Sequence, residues 1–336
     1  MHNATSGAGA RGALTPGTLA LVVGVLLVQL GFLLSYIGSF HHPEPQGIPV
    51  AVVAPQQAAE RLDNLPGHPL DPTVVKDERT ARDRIERRDA EGAYLMNPRG
   101  RQDTLLTASA AGGPQAQALR RIGEGVAADQ GRQVKVVDVT PAGKRDYESL
   151  TAFYLIVGWL VGGYLLASLL GVVAGTRPDR PAVGALRLAG VAVYSVLSGL
   201  GGAIIVDPVL DALPGHFVEL WWLGALLVFG TAAVTMALEA FCGIVGIGIA
   251  VVIFVVLGNP SAGGAFQSHL IPPFWRAIGE WIPTGAGTTA VRNIVYFSGH
   301  GLTTPLLVMG AWALAGALFL MAGSLRRRQP GLSLPI

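Results

Sequence analysis

Glu239 is the only Asp, Glu, Lys or Arg inside the long apolar tracts of this 336-residue chain. An ionisable side chain at membrane depth can hold a proton or an ion, and is by default a functional hypothesis. The tract around it is too long for one span, so we expect a tight helical hairpin turning at Glu239-Ala240-Phe241-Cys242-Gly243. A turn there would leave Glu239 solvated at the cytoplasmic interface. Other candidates for chemistry are sparse. His41 and His42 are adjacent but have no further metal ligands nearby in the sequence, and read as solvated residues at a span end. Asp207, Asp211, His216 and Glu219 fall in one loop and could bind a cation, but acidic residues are also ordinary on the non-cytoplasmic side. Cys242 is the single cysteine, so no intramolecular disulfide can form, and it reads as a small buried hydrophobe.

The motifs of common enzymes are missing. There is no HExxH, no CxxC pair and no GxSxG. Gly112-Gly113-Pro114 precedes a helical pattern but lacks the Gly-Lys-Ser/Thr ending of a phosphate-binding loop. We expect no catalytic residue, no metal site and no cofactor, hence no enzyme. A net charge of +2 gives no reason to expect a nucleic-acid partner.

Composition says what must position these residues. Only 14% of the chain is charged and 51% is hydrophobic; a soluble domain carries about 25% charged residues. The charges crowd between Arg61 and Tyr147. This is the pattern of a membrane protein with one aqueous domain. A helix needs about 20 apolar residues to cross a hydrocarbon core of about 30 Å. Six segments meet or approach this: 18–40, 152–174, 188–206, 220–238, 240–257 and 305–323. The first has too long an apolar core for a signal peptide and no small-x-small cleavage site after it, so it reads as an uncleaved anchor. Arg11, the loop arginines Arg177, Arg180 and Arg187, and the tail Arg326-Arg327-Arg328 place both termini in the cytoplasm, 1–17 and 324–336.

Residues 41–151 then lie outside, as a small extracytoplasmic α/β domain. Strands are expected at 47–53, 92–96, 105–109 and 133–139, and helices at 77–90 and 115–128, in the order β-α-β-β-α-β. The fold class is therefore an α-helical polytopic membrane protein with six transmembrane helices and this domain between spans one and two.

The segment 259–304 belongs to neither class. It is rich in aromatic residues, yet Pro260, Pro272, Pro273 and Pro283 forbid one long helix. Trp275 and Trp281 suit the headgroup boundary, and Gly285 and Gly287 permit sharp turns. A re-entrant or interfacial segment is expected, which requires cover from protein or water. Gly158 and Gly162 form a GxxxG pair on the second span, suited to close helix packing.

Several stretches together resemble a known family. They are Ile48-Pro49-Val50-Ala51-Val52-Val53 after span one, Asp138-Val139-Thr140-Pro141 before span two, and Phe153 to Gly163 opening it. The match continues with Leu257-Gly258-Asn259-Pro260-Ser261-Ala262-Gly263-Gly264, Pro272-Pro273-Phe274-Trp275, Ile282-Pro283-Thr284-Gly285-Ala286-Gly287, Arg292-Asn293 and Tyr296-Phe297. These resemble the YhgE/Pip-like (phage infection protein) membrane proteins and their actinobacterial relatives, and more broadly the type-2 ABC exporter permeases. The resemblance implies a homodimeric permease subunit in the plasma membrane, moving a hydrophobic or amphipathic substrate outward. Its outer gate would be the re-entrant segment carrying Asn259, Pro260, Gly263, Gly264, Pro273, Trp275, Trp281, Pro283, Gly285 and Arg292. Power would come from a separate ATPase subunit, docking at the loop of Arg177, Arg180 and Arg187. The chain departs from that pattern in its Gly/Ala-rich start and in the short, Pro-containing 175–187 loop. These favour the other implied role, a non-transporting scaffold or secretion accessory protein whose outer domain binds a partner.

Overall fold

Thr15 starts the first helix: its Oγ1 accepts from the Thr18 amide at 3.1 Å, and Pro16 occupies the first turn, where no amide hydrogen is needed. The computed structural model describes residues 15–325. Helix α1 (Pro16–Phe40) leads into β1 (Ile48–Val53), α2 (Gln56–Asp63), β2 (Leu70–Val74), α3 (Glu78–Glu86), β3 (Gly92–Leu95), β4 (Gln102–Thr107), α4 (Gly113–Asp129) and β5 (Gln133–Asp138). The strands form one sheet in the order β2-β1-β3-β4-β5. The β3–β4 pair is antiparallel and the other pairs are parallel.

Side chains alternate across this sheet, as the two-residue period requires. Val50, Val52 and Leu105 pack with Ala59, Leu62 and Leu119 of α2 and α4 on one face. Ala51 and Leu106 pack with Ala81 and Ile85 of α3 on the other. Beside the expected elements, the structure adds α2 and β2. Pro72 inside β2 removes a ladder donor and confines that strand to an edge, which masked it in the sequence. The Asp103 carboxylate is buried. It accepts from Tyr94 Oη at 2.8 Å, from Arg132 Nε at 2.7 Å and from the Asn97 amide at 2.8 Å, tying β3, β4 and the chain before β5 together.

The rest is helical: α5 (Thr151–Ala174), α6 (Pro181–Ile204), α7 (Phe217–Cys242), α8 (Val245–Val251), a π-helical run Val252–Leu257, α9 (Gly258–Ser261), α10 (Pro273–Gly279), α11 (Pro283–Tyr296) and α12 (Thr303–Leu325). Five helices are long and apolar enough to cross a membrane: α1, α5, α6 with its π-helical extension to Val209, α7 and α12. The expected span at 240–257 differs. Its apolar helical stretch runs Val245–Ser261 and is shorter than those five, because α7 continues to Cys242 before Gly243 turns the chain at φ +62°. Arg11 and Arg326, Arg327 and Arg328, on which the sidedness expectation leans, lie outside the described residues.

Helix α7 is the hub of the bundle. It is the most buried of the five, enclosed by α5, α6 and α12. Small residues permit the approach. A Cβ on Gly199 of α6 would lie 2.4 Å from the Trp221 carbonyl oxygen, and one on Gly163 of α5 would lie 2.9 Å from that of Val228. The expected GxxxG pair is not this contact. Gly158 has nothing within 4 Å of an added Cβ, and Gly162 faces the Tyr194 hydroxyl, so the packing seam of α5 falls one residue later at Gly163. Helix α1 leans on the rest through Ser35, whose Oγ donates to the Val256 carbonyl of the π-helical run.

Candidate functional site

The 259–304 segment is where the sheet domain and the helical bundle share structure. Pro273 and Pro283 occupy the first turns of α10 and α11 and so set where each short helix begins. From Pro283 to Ile294 every residue of α11 is buried except Thr289. At 14 residues α11 is too short to span, and it lies against α5, α7, α9 and α12. Close approaches need the glycines there. A Cβ on Gly285 would lie 2.1 Å from the Gly279 carbonyl oxygen, and one on Gly264 would lie 2.4 Å from the Phe153 ring.

Arg292 fastens the segment from within. It is buried; its Nη1 donates to the Gly263 carbonyl at 2.6 Å, and its Nη2 to the Ser149 carbonyl at 3.0 Å. Asn259 Nδ2 donates to Tyr36 Oη of α1 at 2.9 Å, and Pro260 beside it is buried. Trp281 is 67% exposed, and its carbonyl accepts from Trp312 Nε1 at 2.8 Å; Trp275 is half-buried.

The same segment plugs into both faces of the sheet domain. Phe297 is fully buried with Ala51, Ala81, Ile85 and Leu106, and the Arg88 guanidinium stacks 4.5 Å from its ring centre. Leu270 joins Ile48 and Leu70 on the opposite face. Polar staples reinforce this. Arg276 Nη1 donates to the Gln46 carbonyl at 2.9 Å, Gln267 Oε1 accepts from the Gln115 amide at 3.1 Å, and Tyr296 Oη donates to Asp146 at 2.7 Å.

Between the two parts lies a polar cleft of about 450 Å³. Arg88, Glu91 and Gln115 line it from the sheet domain; Arg276, Arg292 and Asn293 line it from the segment. Gln115, Asn293 and Arg88 were not among the sequence candidates. The signal available was the polar pair Arg292-Asn293 inside an otherwise small and apolar helix.

The other sequence candidates fall elsewhere. Arg177 Nε donates to the Ala240 carbonyl at 2.9 Å, and Arg187 donates through Nη1 and Nη2 to Gly175 and Ala174 at 2.8 and 2.6 Å. They satisfy carbonyls at the C-termini of α7 and α5, where positive charge is favoured. Arg180 is exposed at the start of α6. Glu239 is at the hairpin end but not solvated. It is 1% exposed, packs over Gly171, and its Oε1 has no partner. The turn comes one helical turn later, at Gly243, which leaves Glu239 inside α7 facing α5. Cys242 is exposed rather than buried, being the last residue of that helix.

His41 bonds its own helix at the Ile37 carbonyl and His42 pairs with Glu44, so neither points to a shared ligand. Asp211 pairs with Arg145 at 3.4 Å, and Asp207 accepts from the Gly215 amide at 3.3 Å. Among the described residues no group of three or more His, Cys, Asp or Glu could hold a metal ion.

Comparison with known proteins adds one relative. The chain is 29% identical over 189 residues to the tetracenomycin C resistance and export protein of Streptomyces glaucescens. The match covers 53% of this chain and 33% of the relative. The chain thus spans about a third of the length of the protein it matches. No family model matches, and no solved structure matches. With its apolar helices, this similarity makes the chain a membrane protein distantly related to an export protein.

Proposed function

We propose that this chain is a membrane subunit of a transporter of the ABC-exporter type, moving a hydrophobic or amphipathic substrate outward across the plasma membrane. The similarity to an export and resistance protein carries the reading. In it the sheet domain lies outside, two copies pair, and a separate ATPase supplies energy from the cytoplasm. The 259–304 segment acts as the outer gate, because it is bonded at once to the sheet domain through Gln267, to α1 through Asn259 and to the bundle helix α12 through the Trp281 carbonyl. The finer kinship with the YhgE/Pip-like proteins is part of the same proposal and rests on the stretches quoted above.

A gate must move to work. In a Cys242→Ser background, cysteines at Gln46 and His269, whose backbones are bonded at 2.9 Å, joined by a short bismaleimide, would tie the segment to the sheet domain. Efflux of an amphipathic dye from cells carrying the joined protein should stop and return on cleaving the linker. Unchanged efflux, or no efflux attributable to the chain in any form, would count against the gate.

A second reading has its own support. Two of the three arginines expected to face an ATPase are engaged in helix capping, which leaves Arg180 as the exposed one. That small docking surface suits a non-transporting scaffold or secretion accessory protein whose sheet domain binds a partner.

A further inference from the structure

We propose that the cleft between the sheet domain and the 259–304 segment is a binding site for a phosphodiester anion bearing hydroxyl donors, such as a glycerol-type phospholipid headgroup. This stands apart from the transport reading, since such a site would exist in a scaffold as well.

The cleft contains an unusual concentration of unmet hydrogen-bonding capacity. Among the described residues four buried side-chain polar atoms lack any partner, and three of them belong to residues lining it: Arg88 Nε, Gln115 Oε1 and Asn293 Oδ1. Gln115 and Asn293 are 3% and 2% exposed. A buried polar group without a partner is costly, so native proteins rarely keep one unless something fills the place. Gln115 Nε2 donates to Glu91 at 2.8 Å, which orients the amide and leaves its oxygen free.

The charges point the same way. Arg88 pairs with Glu91 at 3.0 Å, but among the described residues no carboxylate pairs with Arg276 or Arg292. Of the lining arginines, Arg87 pairs with Asp83 and Arg88 with Glu91, which leaves Arg276 and Arg292 as the two without an ion-pair partner. Guanidinium groups suit phosphate oxygens. The free acceptors Gln115 Oε1 and Asn293 Oδ1 ask for O–H or N–H donors on the same ligand. A phosphodiester with hydroxyls meets both demands; a phosphocholine, which has no such donor, meets only the first. The volume of about 450 Å³ is that of an ordinary small-molecule site. Pro305, at the start of the span α12, lines one side, so a lipid headgroup has a path from the interface.

The test uses the full chain in detergent and in nanodiscs. Soluble glycerophosphoglycerol and methyl phosphocholine, a phosphodiester without hydroxyls, are titrated by calorimetry, and phosphatidylglycerol and phosphatidylcholine retention is measured by native mass spectrometry. We expect the glycerol form to bind at least tenfold tighter than the choline form in one or both pairs. Preference in the lipid pair alone names a membrane source; in the soluble pair, a free ligand. Arg276→Gln, on a half-buried side chain, should weaken both forms about tenfold. Asn293→Leu should erase most of the preference while sparing the choline form. Equal binding of glycerol and choline forms, binding insensitive to both variants, or no binding from either source would overturn the assignment and leave the cleft filled by water.

Discussion

At the scale of single residues, Asp103 shows how a charge becomes structural in the sheet domain. Burial alone would raise its carboxyl pKa. The hydrogen bonds from Arg132, the Asn97 amide and Tyr94 outweigh burial and hold it below the usual carboxylate range. The folded value is lower than the unfolded one. The stabilisation is therefore complete above the unfolded carboxyl range and is lost as pH falls through the lowered folded value. Asp103→Asn should cost about 3 kcal/mol at neutral pH, because Arg132 loses its partner. It should also flatten the acid side of the stability curve. Thermal melts of both proteins between pH 3 and 7 check this; parallel acid limbs would contradict it. The Tyr94 hydroxyl, held well above its ordinary pKa by burial and by donating to Asp103, stays protonated throughout that window. Glu239 makes the contrasting point: the same residue type is buried one turn inside a helix end, with one oxygen unpaired.

At the scale of elements, packing is decided by where small residues meet a neighbouring backbone. Gly199→Val must push α6 away from the Trp221 carbonyl, and should destabilise by about 1–3 kcal/mol. Gly158→Ala should change stability by less than about 0.5 kcal/mol, because nothing lies within 4 Å of the added carbon. Melts in one detergent compare them directly, and a reversed order would overturn the assignment of the seam. The long apolar helices were legible because 20 apolar residues admit few other readings. The strand at Gln133–Asp138 was legible through its two-residue alternation, and that at Ile48–Val53 as a short Val/Ile-rich run after Gly47. The start of α6 was not: Pro181 at its first turn reads equally well as a loop residue, so the loop seemed longer than 175–180. The role of Gly163 over Gly158 was hidden for a physical reason. A one-residue step on a helix is a rotation of about 100°, and spacing cannot say which neighbour arrives.

At the scale of the molecule, the 259–304 segment makes two parts into one. Its residues enter both cores of the sheet domain and also fill the bundle between α5 and α12. The sequence marked the segment as neither loop nor span, through its prolines and tryptophans. It did not show Phe297 and Leu270 as plugs, because contacts across so much intervening chain leave no local period. Phe297→Ala should cost about 3–5 kcal/mol of local stability. It should raise hydrogen exchange in α3 and β4 ahead of α7. Uniform exchange changes across both parts, or none, would refute this role for the plug.

The transport reading meets its most direct test in what the chain keeps for company. Tagged protein is purified from its native membrane in nanodiscs, with mass spectrometry of everything that accompanies it. A transporter subunit predicts a stoichiometric nucleotide-binding protein. That protein should be lost on Arg180→Glu, the exposed member of the arginine loop, with the chain still folded. Reproducible recovery of the chain alone, or only with secretion and envelope proteins, would contradict an ATP-driven transporter and leave the scaffold.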